Sequence, residues 1–322
     1  MQNFEYIAPT ETITAAQALS PHEGVTAVLA GGTDLLSLMK ERIETPTRVV
    51  SLRNIRALRG VHGTGGALRI GAMASIEAVL GSSGASSYKS LLQAGRGITA
   101  PQVRAMGTVV GDLLQRPRCW YYRNGYGLLA MHEGKSLVPN GENRYHAILG
   151  NKGPAYFVNA SSFAPALISL GASVTVAGPE GEREMPLADL FRIPASESER
   201  ENTLMPNEIV TEIMVPSASG WRTATYEVRQ RQLLDWPLVT ASVAVRLRGG
   251  KIADARVVMG HVAPIPWRSS EAETALKGQA LGESAGEAAG KAAVAAATPL
   301  SQNQAKVQLA SVAVKRAVAM AA

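Results

Sequence analysis

The 322-residue chain has a single cysteine, Cys119. That excludes an intrachain disulfide and any metal or iron–sulfur site built on several cysteines of this chain. Its five histidines, at 22, 62, 132, 146 and 261, lie far apart, and no pair has metal-ligand spacing, so no metal site is expected. No apolar run approaches the roughly 18–20 residues of a membrane-spanning helix. The opening residues, Met1-Gln-Asn-Phe-Glu-Tyr6, have neither a basic start nor an apolar stretch, so no signal peptide is expected. Lysine and arginine (32) outnumber aspartate and glutamate (26), yet no five basic residues run together. A nucleic-acid surface is therefore not expected, while an anionic cofactor or an acidic partner suits the charge. Two phosphate-binding signatures are missing as well. There is no GxGxxG with a βαβ unit and an acid about 20 positions on, and the Gly-Lys-Ser/Thr of a P-loop follows neither glycine stretch. What remains, at 46% apolar and 18% charged residues, is a folded chain long enough for two or three domains.

The stretch that stands out is Leu29-Ala-Gly-Gly-Thr-Asp-Leu-Leu36. A β-prone run from Thr26 enters it, and an amphipathic segment, Leu35 to Arg42, leaves it. Paired glycines after a strand allow a sharp turn with bare N–H groups, and successive N–H groups form an anion-binding concavity. The following helix adds its N-terminal dipole, with Thr33 or Asp34 as cap. A diphosphate is the natural guest; the plain alternative is a strand–turn–helix corner with no ligand. A second stretch, Met106-Gly-Thr-Val-Val-Gly-Asp-Leu-Leu114, has the same character, and two such loops can grip one diphosphate from opposite sides.

The remainder reads as a mixed α+β fold. Helices are expected at 12–19, 35–42, 75–80, 88–95 and 164–171, and strands at 25–30, 48–52, 67–72, 173–177 and 208–215. Residues 115–155, rich in aromatics, Gly, Asn and His, show little periodicity; such a long irregular stretch is usually functional or flexible. Pro216 and Ser217-Ala-Ser-Gly220 mark a boundary. Beyond it, strands are expected at 223–229, 238–247 and 251–260, the last two joined by a Gly249-Gly250 hairpin. A helix follows at 271–276, then two alanine-rich helices within 284–297 and 302–319. Their valines and leucine suggest packing rather than low complexity.

Ala30-Gly-Gly-Thr-Asp-Leu35 resembles the first flavin loop of the FAD-binding subunit in molybdenum hydroxylases, the xanthine dehydrogenase and aldehyde oxidoreductase family. Ile98-Thr-Ala-Pro-Gln-Val-Arg-Ala-Met-Gly-Thr-Val-Val-Gly-Asp-Leu-Leu114 is similar to that family's second flavin segment. Gln115-Arg-Pro-Arg-Cys-Trp-Tyr-Tyr-Arg123 resembles the branch that includes the periplasmic aldehyde oxidoreductase. Tyr226-Glu-Val-Arg-Gln-Arg231, Gly260 to Arg268 and Ala272 to Gly278 extend the likeness, which covers essentially the whole chain. The resemblance implies a two-part FAD-binding domain of the PCMH type, residues 1–60 and 61–216 with an irregular insertion at 115–155. A C-terminal antiparallel sheet with helices, residues 217–322, would follow. It implies cofactor contacts from Leu29, Ala30, Gly31, Gly32, Thr33, Asp34, Leu35 and Leu36, from Thr108, Gly111 and Asp112, and from Ser162, Val215 and Glu227. An inward Asp34 would repel a diphosphate, so a helix cap or a bond to loop N–H groups is its expected role.

The chain departs from the family at several points. Asp112 replaces an asparagine, Val110 a glycine, and Glu227 a lysine; Ala160 and Ser162 stand for proline and aspartate. The two charge changes make the site more anionic, unless those side chains face solvent or pair with neighbours such as Arg104 or Arg229. In the resembling branch the insertion holds a [4Fe–4S] cluster on four cysteines. Only Cys119 is here, so no [4Fe–4S] cluster is expected and Cys119 is read as a leftover buried thiol. Trp120, Tyr121, Tyr122 and Tyr126 are read as a packed cluster rather than a flavin platform.

The implied function is an FAD-carrying electron-transfer subunit of a heterotrimeric molybdenum hydroxylase. Substrate would be oxidised at molybdopterin on a large partner subunit. Electrons would pass through [2Fe–2S] clusters of a small partner to FAD, and on to an external acceptor. A dimer of heterotrimers fits the family. The alternatives are a flavin-free assembly subunit and a stand-alone flavin oxidase. The default compartment is the cytoplasm, with periplasmic export on a partner's signal left open; no nucleic acid or membrane span is expected.

Overall fold

The computed structural model describes residues 1–231 and 235–322. Strand Thr26–Leu29 runs into the first glycine pair, and helix Leu35–Lys40 carries the chain back to strand Arg48–Ser51. The two strands pair in parallel, which requires such a crossover. A βαβ unit is therefore present, although its second strand ends on Ser51, followed by Leu52, rather than on an acid. A third strand, Glu5–Ile7, adds in parallel on the other side of Arg48–Ser51. It spans three residues without a buried face, and alternation gave no sign of it.

The second sheet is wholly antiparallel, in the order Val61–Thr64, Ala67–Gly71, Ile209–Val215, Ser173–Gly178, Gly181–Pro186. The outermost strand, Gly-Glu-Arg-Glu-Met-Pro, is largely exposed and lacks an apolar face, so its pattern did not announce a strand. Helix Phe163–Leu170, apolar except for Ser169, whose hydroxyl donates to the Ala166 carbonyl, is buried on every side and ends on Gly171 in the left-handed region. Helix Lys89–Gly97 lies against strand Trp221–Val228. Thr223 Oγ1 accepts the Ser90 N–H at 3.3 Å and Gln93 Oε1 accepts the Thr225 N–H at 2.7 Å, so helix and third sheet are joined by polar as well as apolar contact.

That third sheet has antiparallel strands Trp221–Val228, Val239–Arg248, Lys251–Gly260 and Trp267–Arg268. Helices Ser270–Leu276, Glu283–Ala293 and Gln304–Met320 cover it. The alanine-rich pair packs through small residues: a Cβ at Gly290 would lie 2.3 Å from the Ser311 carbonyl oxygen, so only glycine lets the helices come this close.

Residues 115–155 contain only helix Trp120–Arg123 and two two-residue strands, Met131–His132 and Lys135–Ser136. The segment is nonetheless packed. Tyr122, Leu128, Leu129 and Ala155 form a core with Leu38 and Phe157. The last helix pins it: Asn303 Nδ2 donates to the Asn143, His146 and Ala147 carbonyls, and Lys306 Nζ donates to the Tyr145 and His146 carbonyls at 3.0 Å each. Lys306 is buried, and burial pulls its pKa down to about 7. Unfolding returns it to the ordinary lysine range of about 10.4, so between those values the unfolded chain binds the extra proton and stability rises with pH. Urea titrations from neutral to alkaline pH should show this rise in the wild type and a flatter profile in Lys306→Met; equal slopes would mean that Lys306 keeps its ordinary affinity for the proton.

Candidate functional site

The two glycine loops meet face to face. A Cβ on Gly31 would sit 1.8 Å from the Met106 carbonyl oxygen, and one on Gly107 would come within 3.3 Å of Thr33 Oγ1. Gly32 has φ +75°, a left-handed conformation open to glycine at little cost. The N–H groups of Gly31, Gly32, Thr33 and Asp34 find no acceptor among the described residues. Thr108 caps the short helix Val109–Leu113, its Oγ1 accepting the Gly111 N–H at 3.0 Å. Between the loops lies a groove of about 220 Å³. This cradle of unpartnered donors beside two helix starts has the donor set that a diphosphate needs.

Ala30, Gly31, Gly32, Thr33, Asp34 and Leu35 all line that groove, with Thr108, Val110 and Gly111 opposite. Leu29 and Leu36 flank it, their side chains packed against Gly32. Asp34 does not cap the helix that follows it. Its Oδ1 pairs with Arg118 at 3.1 Å and Arg123 at 2.9 Å, and its Oδ2 accepts the Arg116 N–H at 2.9 Å. The carboxylate ties the first loop to the segment after the second, and two guanidiniums offset its charge. An acid beside a diphosphate is tolerable for that reason. Arg116 itself pairs with Glu201 and Glu44; burial opposes its charge, but these partners outweigh it and raise its pKa.

Asp112 turns away from the groove. It accepts from Ser161 Oγ and from the Phe163 N–H at 3.0 Å, at the start of the buried helix, and from Gln115 Nε2 at 2.9 Å. Burial raises its pKa and these hydrogen bonds pull the other way. The expected extra charge near phosphate is thus directed at a helix N-terminus, where an anion is favoured. Ser162 sits beside it, buried, its hydroxyl unpartnered. Glu227 is not in the groove: it pairs with Arg229 at 2.6 Å and presses on Gly97, and burial, reinforced by Asp112, raises its pKa. Val215 is not brought to the groove either. It lies buried in mid-sheet opposite Leu68, its carbonyl accepting from Tyr88 Oη at 3.4 Å. The wall expected there is supplied by the start of the same strand and the turn before it, through Leu204, Met205, Ile209 and Val210. No sequence pattern marks those residues. The two arginines that neutralise Asp34 do carry a signal, since Arg118 and Arg123 lie in the arginine-rich stretch Arg116–Arg123.

Cys119 is half-buried rather than sealed, its Sγ 3.2 Å from His146 Nε2. Burial pushes the thiol up, and burial pulls His146 down to about 4. The pair is therefore a neutral thiol hydrogen-bonded to a neutral imidazole. Trp120 and Tyr121 meet edge to face and both lie tilted against His146, Tyr122 is buried instead with Leu38 and Phe157, and Tyr126, edge-on to Tyr121, is exposed, so the four rings do not form one packed core.

Comparison with known proteins extends over the whole chain. Residues 2–218 match the FAD binding domain in molybdopterin dehydrogenase, and residues 224–321 match the CO dehydrogenase flavoprotein C-terminal domain. The aldehyde oxidoreductase FAD-binding subunit PaoB of Escherichia coli is 30% identical over 260 residues, 77% of this chain and 78% of that one. The carbon monoxide dehydrogenase medium chain of Afipia carboxidovorans is 28% identical over 98% of this chain and 96% of its own. Among solved structures, carbon monoxide dehydrogenase from Hydrogenophaga pseudoflava superposes with a TM-score of 0.76 at 27% identity, covering 98% of this chain and 96% of that one. No helix among the described residues is long and apolar enough to cross a membrane. With an oxidoreductase's flavin domain, its partner C-terminal domain and the paired glycine loops in one chain, the protein belongs to the family of FAD-binding subunits of molybdenum hydroxylases.

Proposed function

We propose that this chain is the electron-transfer subunit of a heterotrimer, receiving electrons from the [2Fe–2S] clusters of a small partner and delivering them to an external acceptor. Substrate oxidation is assigned to molybdopterin on a large partner. The carrying observation is the cradle of four unpartnered N–H groups at Gly31 to Asp34, closed by the second glycine loop. Bound FAD supplies the redox chemistry, accepting and releasing electrons one or two at a time. The chain's own residues hold it. Gly31, Gly32 and Thr33 donate backbone N–H groups to the diphosphate, Gly111 and Thr108 close the other side, and the Asp34–Arg118–Arg123 cluster fixes the distance between loops. Leu204 and Met205 provide an apolar wall for the rest of the nucleotide. In the same reading, residues 1–60, 61–216 and 217–322 are the folding units.

The purified chain should be yellow, and heating should release a flavin that mass spectrometry identifies as FAD. In the complete complex, that flavin should be reduced when substrate reaches the large subunit. A colourless chain that still assembles with its partners would sink electron transfer and leave an assembly role. A broad brown absorption from this chain alone would mean an iron–sulfur cluster held by ligands other than cysteine.

A further inference from the structure

A second cavity, of about 550 Å³, shares no lining residue with the groove. Gln115 separates the two. It donates to Asp112 and to the Ala160 carbonyl, and its Oε1 accepts from Arg118. The cavity sits between the insertion and the third sheet, a size and position typical of small-molecule sites. Its walls are mostly apolar and strongly aromatic: Trp120, Tyr145, Phe157 and Trp236. Trp120 and Tyr145 meet edge to face at 5.5 Å, and the Arg118 guanidinium lies 4.5 Å from the centre of the Trp236 ring.

The charge on the wall is one-sided. Among the described residues, Arg118, Arg231 and Lys306 line it against one carboxylate, Asp235, which is already bound to Arg231 at 2.7 Å. Arg118 is shared with Asp34 outside the cavity. Among the described residues Lys306 donates only to the Tyr145 and His146 carbonyl oxygens, and no carboxylate pairs with it. A buried ammonium without a counter-charge is costly unless an anion joins it. His146 and His261, in the same wall, each keep one buried nitrogen without a hydrogen-bond partner, and such orphans are rare in native interiors.

We propose that this cavity is a binding site for a planar aromatic anion, its rings among Trp120, Tyr145 and Trp236 and its carboxylate toward Lys306. Aromatic walls select a flat body by stacking, and the cationic excess selects a negative head. The proposal stands on this cavity alone and does not depend on the flavin reading.

The test uses the chain as purified, whether or not it carries flavin, and two naphthalene probes of similar shape: 2-naphthoate and the neutral 2-naphthalenemethanol. Calorimetry and tryptophan emission are followed at about pH 6, where a lysine with a pKa of about 7 holds its proton. Naphthoate should bind saturably at one site per chain and quench tryptophan emission, and the alcohol should bind about tenfold more weakly. Lys306→Met should remove the preference for the acid, while Trp120→Leu should weaken both probes. Absence of saturable binding overturns the proposal, as does equal affinity for the two probes. Release of flavin during the titration also overturns it, because the cavity would then belong to the flavin. Should Lys306→Met fail to fold, the acid–alcohol comparison and Trp120→Leu decide the matter.

Discussion

Gly31→Ala is expected to strip the flavin and destabilise the fold in one step. The new methyl would lie 1.8 Å from the Met106 carbonyl oxygen and 2.7 Å from its carbon. Both are backbone atoms, and no side-chain rotation relieves the clash, so the two glycine loops must part. Overpacking of this kind costs about 1–3 kcal/mol, and the rigidity of the obstacle puts this case at the upper end. The same displacement spoils the convergence of the donors at Gly31 to Asp34. A loss of roughly 3 kcal/mol of binding corresponds to about a hundredfold weaker FAD affinity. Flavin content per chain and the thermal midpoint are the two readouts. Gly81→Ala, where an added methyl meets nothing within 4 Å, is the control and should retain both. If Gly31→Ala purified with full flavin and an unchanged midpoint, the contact between the loops would not be what holds the site.

Asp34→Ala is the second large effect. Its carboxylate accepts from Arg123 and the Arg116 N–H and pairs with Arg118. Removing one member of a buried ion pair costs about 3–5 kcal/mol, because the partner charge is left uncompensated. Asp34 is 15% exposed and its arginines more so, which points to the lower figure, about 3 kcal/mol. A helix cap would be worth only about 1 kcal/mol. A double-mutant cycle separates the two roles. Asp34→Ala and Arg123→Ala should couple strongly in urea unfolding if the ion cluster matters, and should be additive if Asp34 only caps. Asp34→Asn, which keeps an acceptor for the Arg116 N–H, should lose less than Asp34→Ala.

The glycine loops, most central strands and nearly all the longer helices were legible in the chain, because each carries its own periodicity or turn chemistry. Strand reading fails where that pattern is absent. Thr26–Leu29 is largely apolar and legible, whereas Glu5–Ile7 and Gly181–Pro186 are edge strands of mostly exposed residues and are not. Edge strands take their stability from the neighbour they join rather than from a face of their own. The site divides in the same way. Ala30 to Leu35, Thr108 and Gly111 reach the groove, and each sits in a turn whose geometry is local. Val215 and Glu227 were implied by the family resemblance, and strand register places both outside the groove. Leu204 and Met205 reach the groove from far along the chain through the pairing of Ile209–Val215 with Ser173–Gly178.

By itself the sequence determined the family, the two glycine turns and the presence of a single cysteine, since these depend on residue identity and short spacing. Tertiary structure alone decided that Asp34 is neutralised by Arg118 and Arg123, that Asp112 faces the helix at Phe163, and that Lys306 is buried over a cationic, aromatic cavity. Whether a charge repels a cofactor, caps a helix or waits for an anion depends on what lies within a few ångströms of it. Those neighbours come from segments far apart in the chain, so no local pattern encodes them.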